Sequence, residues 1–108
     1  MLDSMATDEG TDHATLVRVT HLYPSEGNHD SLVGLLKAIA ESARKAPGCF
    51  GGQVCSSDQD TEAVVAVSRW QDRAAMDRFH ASPDFSGVMR EIQPILARPS
   101  RTEHFQTV

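Results

Sequence analysis

Ala63–Phe85 reads AVVAVSRWQDRAAMDRFHASPDF, and this stretch decides the fold. A β-branched run ends at Arg69-Trp70. Alternation along it puts Val65 and Val67 on one side and Val64, Ala66 and Trp70 on the other. Gln71-Asp72 forms a polar turn, and a helix over Asp72–His80 follows with Ala75, Met76 and Phe79 inward. It breaks at Ser82-Pro83, where serine can cap a new helix that carries proline at its first position. Phe85, Val88, Met89, Ile92 and Leu96 form the buried stripe of that second segment, and Pro94 limits its length. The whole predicts a strand delivering one aromatic to the mouth of a pocket, with a broken helix lying across it.

Upstream, Ala14–Tyr23 is rich in β-branched residues and reads as strand one. Pro24-Ser25-Glu26-Gly27 is a turn, and Asn28 or Asp30 can cap the helix after it. Leu32, Leu35, Leu36, Ile39 and Ala43 recur at helical spacing and give that helix one apolar face, while Pro47-Gly48 stops it. Cys49–Ser57 is the second strand, Ser57–Asp60 a hairpin turn and Thr61–Trp70 the third strand. Arg101–Val108 closes the domain as a fourth. The order βαββαβ is the ferredoxin-like split, an α+β fold with both helices on one face of an antiparallel sheet. Strand three is apolar on both sides, and a single chain would leave its Val, Ala and Trp side wet. A partner sheet from a second copy would cover it, which predicts a homodimer built as an α+β barrel.

The 108 residues suffice for one domain and carry a net charge of −5. That sign argues against nucleic acid and anionic membranes as partners. Residues 1–13 hold Asp3, Asp8, Glu9 and Asp12 with no Lys or Arg, and read as a disordered acidic tail ahead of a domain over 14–108. No stretch approaches the ~18 apolar residues of a membrane span. The acidic N-terminus is no signal peptide. Cys49 and Cys55 share one strand, roughly 20 Å apart if extended, so they read as free thiols in a reducing cytoplasm. The five histidines have no HxH or HxxxH spacing, which argues against a metal site, and no phosphate-binding glycine motif is present.

Ala46-Pro47-Gly48-Cys49, Trp70 with its polar turn, and Phe79-His80-Ala81-Ser82-Pro83 together resemble the antibiotic biosynthesis monooxygenase family, over Thr15 to the C-terminus. The resemblance implies a dimeric α+β barrel. Some members are cofactor-free oxygenases that turn anthrones or hydroquinones into quinones; others degrade haem. The haem degraders place an Asn, a Trp and a haem-ligating His where this chain has Thr20, Phe79 and Met89. All three differ, and a thioether is a different ligand from imidazole, so haem degradation is not expected. The quinone-forming members have a Trp, an Asn, a Tyr and an Arg where this chain has Trp70, Ala66, Met76 and Arg90. Half of that polar set is absent.

The candidate catalytic residues are therefore His80, Trp70 and Arg90. The indole N–H of Trp70 can hold a substrate carbonyl or phenolate, against the plainer reading of a core or interface aromatic. His80, with an ordinary pKa near 7, can serve as general base, and Asp77 three residues earlier could orient it. The plainer reading is a solvent-facing helix-end histidine. Arg90 could stabilise an enolate or peroxide oxygen, yet helical periodicity turns it about 140° from the apolar stripe. Thr20, Tyr23, Met76, Phe79, Phe85 and Met89 are the candidate substrate-binding residues. His21 and Tyr23 share one face of strand one, Arg18 and Thr20 the other, and an arginine inside a strand is expensive to bury unpaired. The expected function is cofactor-independent monooxygenation of a small electron-rich aromatic — phenol, anthrone or hydroquinone to quinone — with O₂ as co-substrate and no metal. The rivals are a non-catalytic small-molecule-binding or interaction module and a cofactor-free isomerase or cyclase.

Overall fold

The computed structural model describes residues 16–108. The acidic segment 1–13 and the start of the 14–108 domain lie outside the described residues. Four strands and three helices alternate as β1 (Leu16–Pro24), α1 (His29–Arg44), β2 (Cys49–Ser56), β3 (Val64–Trp70), α2 (Arg73–His80), α3 (Pro83–Ile92) and β4 (Leu96–Gln106), with a 3₁₀ turn at Gln93–Ile95 before β4. The sheet is antiparallel in the order β2-β3-β1-β4, the ferredoxin-like arrangement.

Local chemistry explains the breaks. Asp72 caps α2, accepting the Ala75 N–H at 2.9 Å, and Ser82 caps α3, accepting the Phe85 N–H at 3.3 Å ahead of Pro83. Asn28 occupies the N-cap position of α1 without a side-chain cap bond. Its amide donates instead to Ser25 Oγ, which donates to the Ile95 carbonyl and ties the β1–α1 turn to the 3₁₀ turn. Gly48 adopts φ 82° between α1 and β2, the left-handed region where a side chain is disfavoured. A Cβ there would also stand 2.6 Å from that of Ala75.

Two expected boundaries move. The β2–β3 turn extends to Ala63, whose N–H donates to the Asp60 carbonyl, so β3 starts at Val64 rather than Thr61. Pro94 ends the last helix early, and β4 begins at Leu96 rather than Arg101. Leu96 thus belongs to the strand, although it still packs against the core.

The side chains of β3 sort opposite to the wet-face argument. Val64 and Trp70 are only 2% and 1% exposed, beneath the helices. The other face, which no helix among the described residues covers, carries Val65 and Val67, with Val17 and Val19 of β1 and Phe105 of β4 beside them by register. One buried cluster gathers Leu16, Ala43, Ala75, Met76 and Phe79 around Trp70; the other gathers Leu22, Leu36 and Val64 around Leu32 and Ile92. A cavity opens between them.

Candidate functional site

The cavity lies between the helix-covered face of the sheet and the three helices and encloses about 80 Å³. One wall is apolar: Leu36, Ile39, Ala40 and Ala43 from α1, Phe79 from α2, and Phe85 and Met89 from α3. The aromatic part is continuous. Trp70 and Phe79 centroids are 5.7 Å apart, Phe79 and Phe85 5.6 Å, and the His80 imidazole lies 4.5 Å from the Phe85 ring and 6.3 Å from Trp70.

The other wall is polar and follows from strand register. Arg18 on β1 pairs with Ser68 on β3 and with His104 on β4, so all three share one cross-strand row on the cavity side. Arg18 and Ser68 line the cavity. In the next row Thr20 faces Thr102, and their hydroxyls are 2.9 Å apart. The Trp70 indole N–H donates to Ser68 Oγ at 2.9 Å. Trp70 is therefore a buried wall with its one donor already used, not a donor at the pocket mouth.

Electrostatics here follow from burial first and from the Arg18 charge second. Burial lowers the pKa of its guanidinium, although an arginine stays charged at neutral pH. His80 falls to about 4, because burial and then the Arg18 charge disfavour imidazolium more than Asp77 favours it; His104 adds a small further lowering. The reading of a base with a pKa near 7 is corrected accordingly. His104 is lowered too, by burial, Arg73 and Arg18, against Asp77. Both imidazoles are thus neutral at pH 7. Acid–base work by His80 starts from the correct form for a proton acceptor, but from a weak one.

The sequence-expected residues divide. His80, Trp70, Thr20, Phe79, Phe85 and Met89 converge on the cavity. Arg90 is exposed on α3 and does not line it, as its periodicity foretold. Met76 is 2% exposed in the Trp70 cluster and is core rather than lining. Tyr23 lies on the opposite face of the sheet, where the Arg98 guanidinium sits 3.9 Å from its ring and Arg101 hydrogen-bonds to it. Ser68 was missed, although alternation two residues before Trp70 places it on the same side. Ser100 of β4 was also missed; it reaches the cavity next to a register irregularity between His21 and Tyr23. Among the described residues no group of His, Cys, Asp or Glu could hold a metal ion, and no helix is long and apolar enough to cross a membrane.

Comparison with known proteins gives one family. In structure the chain resembles Rv0793 from Mycobacterium tuberculosis at TM-score 0.80 and 20% identity, over 88% of this chain and 96% of that one. A Nitrosomonas europaea protein provisionally named an antibiotic biosynthesis monooxygenase superposes at TM-score 0.82 and 10% identity, over 90% and 93%. SO0527 from Shewanella oneidensis superposes at 0.77 and 21%, over 89% and 93%. At these identities the likeness speaks to the fold. No curated protein matches in sequence. The family model described as antibiotic biosynthesis monooxygenase matches residues 15–91, from the start of β1 nearly to the end of α3, and on that match the chain belongs to the antibiotic biosynthesis monooxygenase family.

Proposed function

We propose that the protein is a cofactor-independent monooxygenase acting on a small electron-rich aromatic, with O₂ as co-substrate. The observation that carries this reading is the cavity itself: an aromatic and aliphatic wall that includes a neutral imidazole, facing a wall with a guanidinium and a hydroxyl. In the balanced reaction an aromatic C–H position becomes a carbonyl, one atom of O₂ enters the product, and the other leaves as water. The substrate supplies the electrons. Loss of its acidic proton gives a phenolate or enolate, which is the species that donates to O₂. Arg18 stabilises that oxyanion, His80 takes up the proton, and the apolar wall keeps bulk water from the reacting carbon.

Size narrows the substrate. About 80 Å³ is smaller than the roughly 150 Å³ apolar cavity known to admit benzene. A single ring enters by displacing the partly exposed Met89 or Phe85 on α3, and a fused three-ring anthrone fits less well. Oxygen uptake with monocyclic phenols and hydroquinones, with and without a chelator, tests the reading. Chelator-insensitive uptake is the expected result, with ¹⁸O appearing in the quinone and in water when the substrate is a phenol, and, when it is a hydroquinone, an unlabelled quinone with O₂ reduced to H₂O₂; no uptake with any member of the panel would sink it.

The weak basicity of His80 and the occupied Trp70 N–H favour a second reading, a non-catalytic binder of the same ligand class. Binding without oxygen consumption is its signature. Chemical conversion under argon would instead mark an isomerase or cyclase. In either case we infer a homodimer, supported by the uncovered Val17, Val19, Val65, Val67 and Phe105 face.

A further inference from the structure

We propose that the cavity is an anion site: Arg18, with the Ser68 hydroxyl beside it, binds the negatively charged oxygen of a small aromatic whose ring lies against Phe79, Phe85 and His80. This deepens the reading of the cavity as the substrate site and rests on it. The ligand class is a single-ring aromatic bearing a carboxylate or an acidic phenolate.

The argument begins with an unbalanced charge. Arg18 sits mid-strand on the helix-covered face, among groups that are otherwise apolar or neutral. Among the described residues no carboxylate forms an ion pair or hydrogen bond with it. A guanidinium partly removed from water without a counter-charge costs free energy, and the usual compensation is an anion. Its neighbours do not provide one. Ser68 and His104 flank it across the two strand pairs, and His80 approaches from α2. Asp77, three residues before His80 on α2, is the acid whose charge is felt here, and it acts on the two histidines.

Ser68 adds direction. Its Oγ accepts from the Trp70 indole, which fixes the hydroxyl and leaves its hydrogen free of any described acceptor. A hydroxyl whose lone pair is held from behind is a donor towards the cavity. Arginine presents a planar fork that matches a carboxylate in two parallel hydrogen bonds. The fork and the hydroxyl stand on one wall and the aromatic surface on the other, so a ligand with a charged oxygen at one end and a ring at the other satisfies both. A neutral phenol satisfies only one.

Benzoate, 4-nitrophenolate and neutral benzamide are the probes, titrated into the full-length protein under argon and followed by Trp70 fluorescence and calorimetry. Benzoate and 4-nitrophenolate should each bind at least tenfold tighter than benzamide. Arg18→Met should weaken both anions tenfold or more and leave benzamide unchanged, and Arg18→Lys should fall between, because it keeps the charge and loses the fork. If carboxylate and phenolate differ, the tighter one names the oxygen. Removal of an uncompensated cation should leave the melting temperature of Arg18→Met equal to or above the parent's, which separates lost binding from lost fold. A bound anion also offsets the Arg18 field on His80 and His104, with Arg73 and Asp77 unchanged. The His80 titration midpoint, read by NMR, should therefore move up when benzoate is added to the parent and stay put in Arg18→Met. Equal affinity for benzoate and benzamide, or no anion binding at millimolar concentration, overturns the proposal. Tight anion binding without oxygen uptake would leave this site standing and remove the oxygenase reading; oxygen uptake with neutral substrates and no preference for anions would do the reverse.

Discussion

Ser68 and His80 show how single side chains here act through what they touch. Ser68→Ala deletes the acceptor of the Trp70 N–H, and a buried donor left unsatisfied costs about 1–3 kcal/mol. We expect a loss of that size in urea unfolding at unchanged m-value. His80 has a folded-state pKa of about 4 against 6.5 unfolded, so the unfolded chain binds its proton first as pH falls. Its contribution to stability is complete above about pH 6.5 and is lost as pH falls through that window towards 4. Since the ring is partly solvated, the effect is on the order of 1–2 kcal/mol. Melting temperatures across this range should fall more steeply for the parent than for His80→Gln, with Arg18, Arg73, Asp77 and His104 still present in both. Parallel curves would show that His80 is not desolvated. Much of this site could be seen in the residues: alternation along β3 places Ser68 beside Trp70, and helical spacing excludes Arg90. The depressed His80 pKa could not, because its causes, burial first and then the charge of Arg18 on β1, arise from how other elements pack around the ring.

At the level of elements, the joints are more constrained than the elements they connect. Gly48 ends the α1–β2 connection with positive φ, a carbonyl that accepts the Gln71 N–H at 2.7 Å, and no room for a Cβ beside Ala75. Gly48→Ala combines left-handed strain of about 1–2 kcal/mol with overpacking of about 1–3 kcal/mol. We expect a total of about 2–5 kcal/mol. Combining it with Ala75→Gly should recover the overpacking part only, so a double-mutant cycle reads the contact directly. Additive effects would mean that α2 does not press on this glycine. The order of strands and helices was plain from periodicity and from Asp72, Ser82 and Pro83. The start of β4 was not, because Leu96 continues the apolar spacing of α3 and only the fixed φ and missing N–H of Pro94 end the helix before it. The sorting of β3 was hidden for a different reason. Alternation separates Val65 and Val67 from Val64, Ala66 and Trp70, but both sets are apolar, and pattern alone does not say which of two apolar faces the helices take.

Across the whole molecule, one sheet face is covered by helices and the other by no element among the described residues. We expect a dimer by light scattering at micromolar concentration. Val67→Lys, on the uncovered face, should convert it to monomer while Trp70 emission stays unchanged, because Trp70 points the other way. A monomeric parent would remove the barrel assembly. The outer edge of the sheet is governed differently. β4 runs eleven residues, all exposed after Leu96, and such a length of unpaired backbone is ordinarily a template for further strands. Against β1, however, its register slips between His21 and Tyr23 and again between Tyr23 and Pro24. Pro99 falls within the first slip and offers no N–H, while Arg98, Arg101 and Glu103 crowd the rest with charge. These interruptions leave Arg101–Gln106 as the regular part of the margin, and there the charges of Arg101 and Glu103 oppose the addition of a further strand.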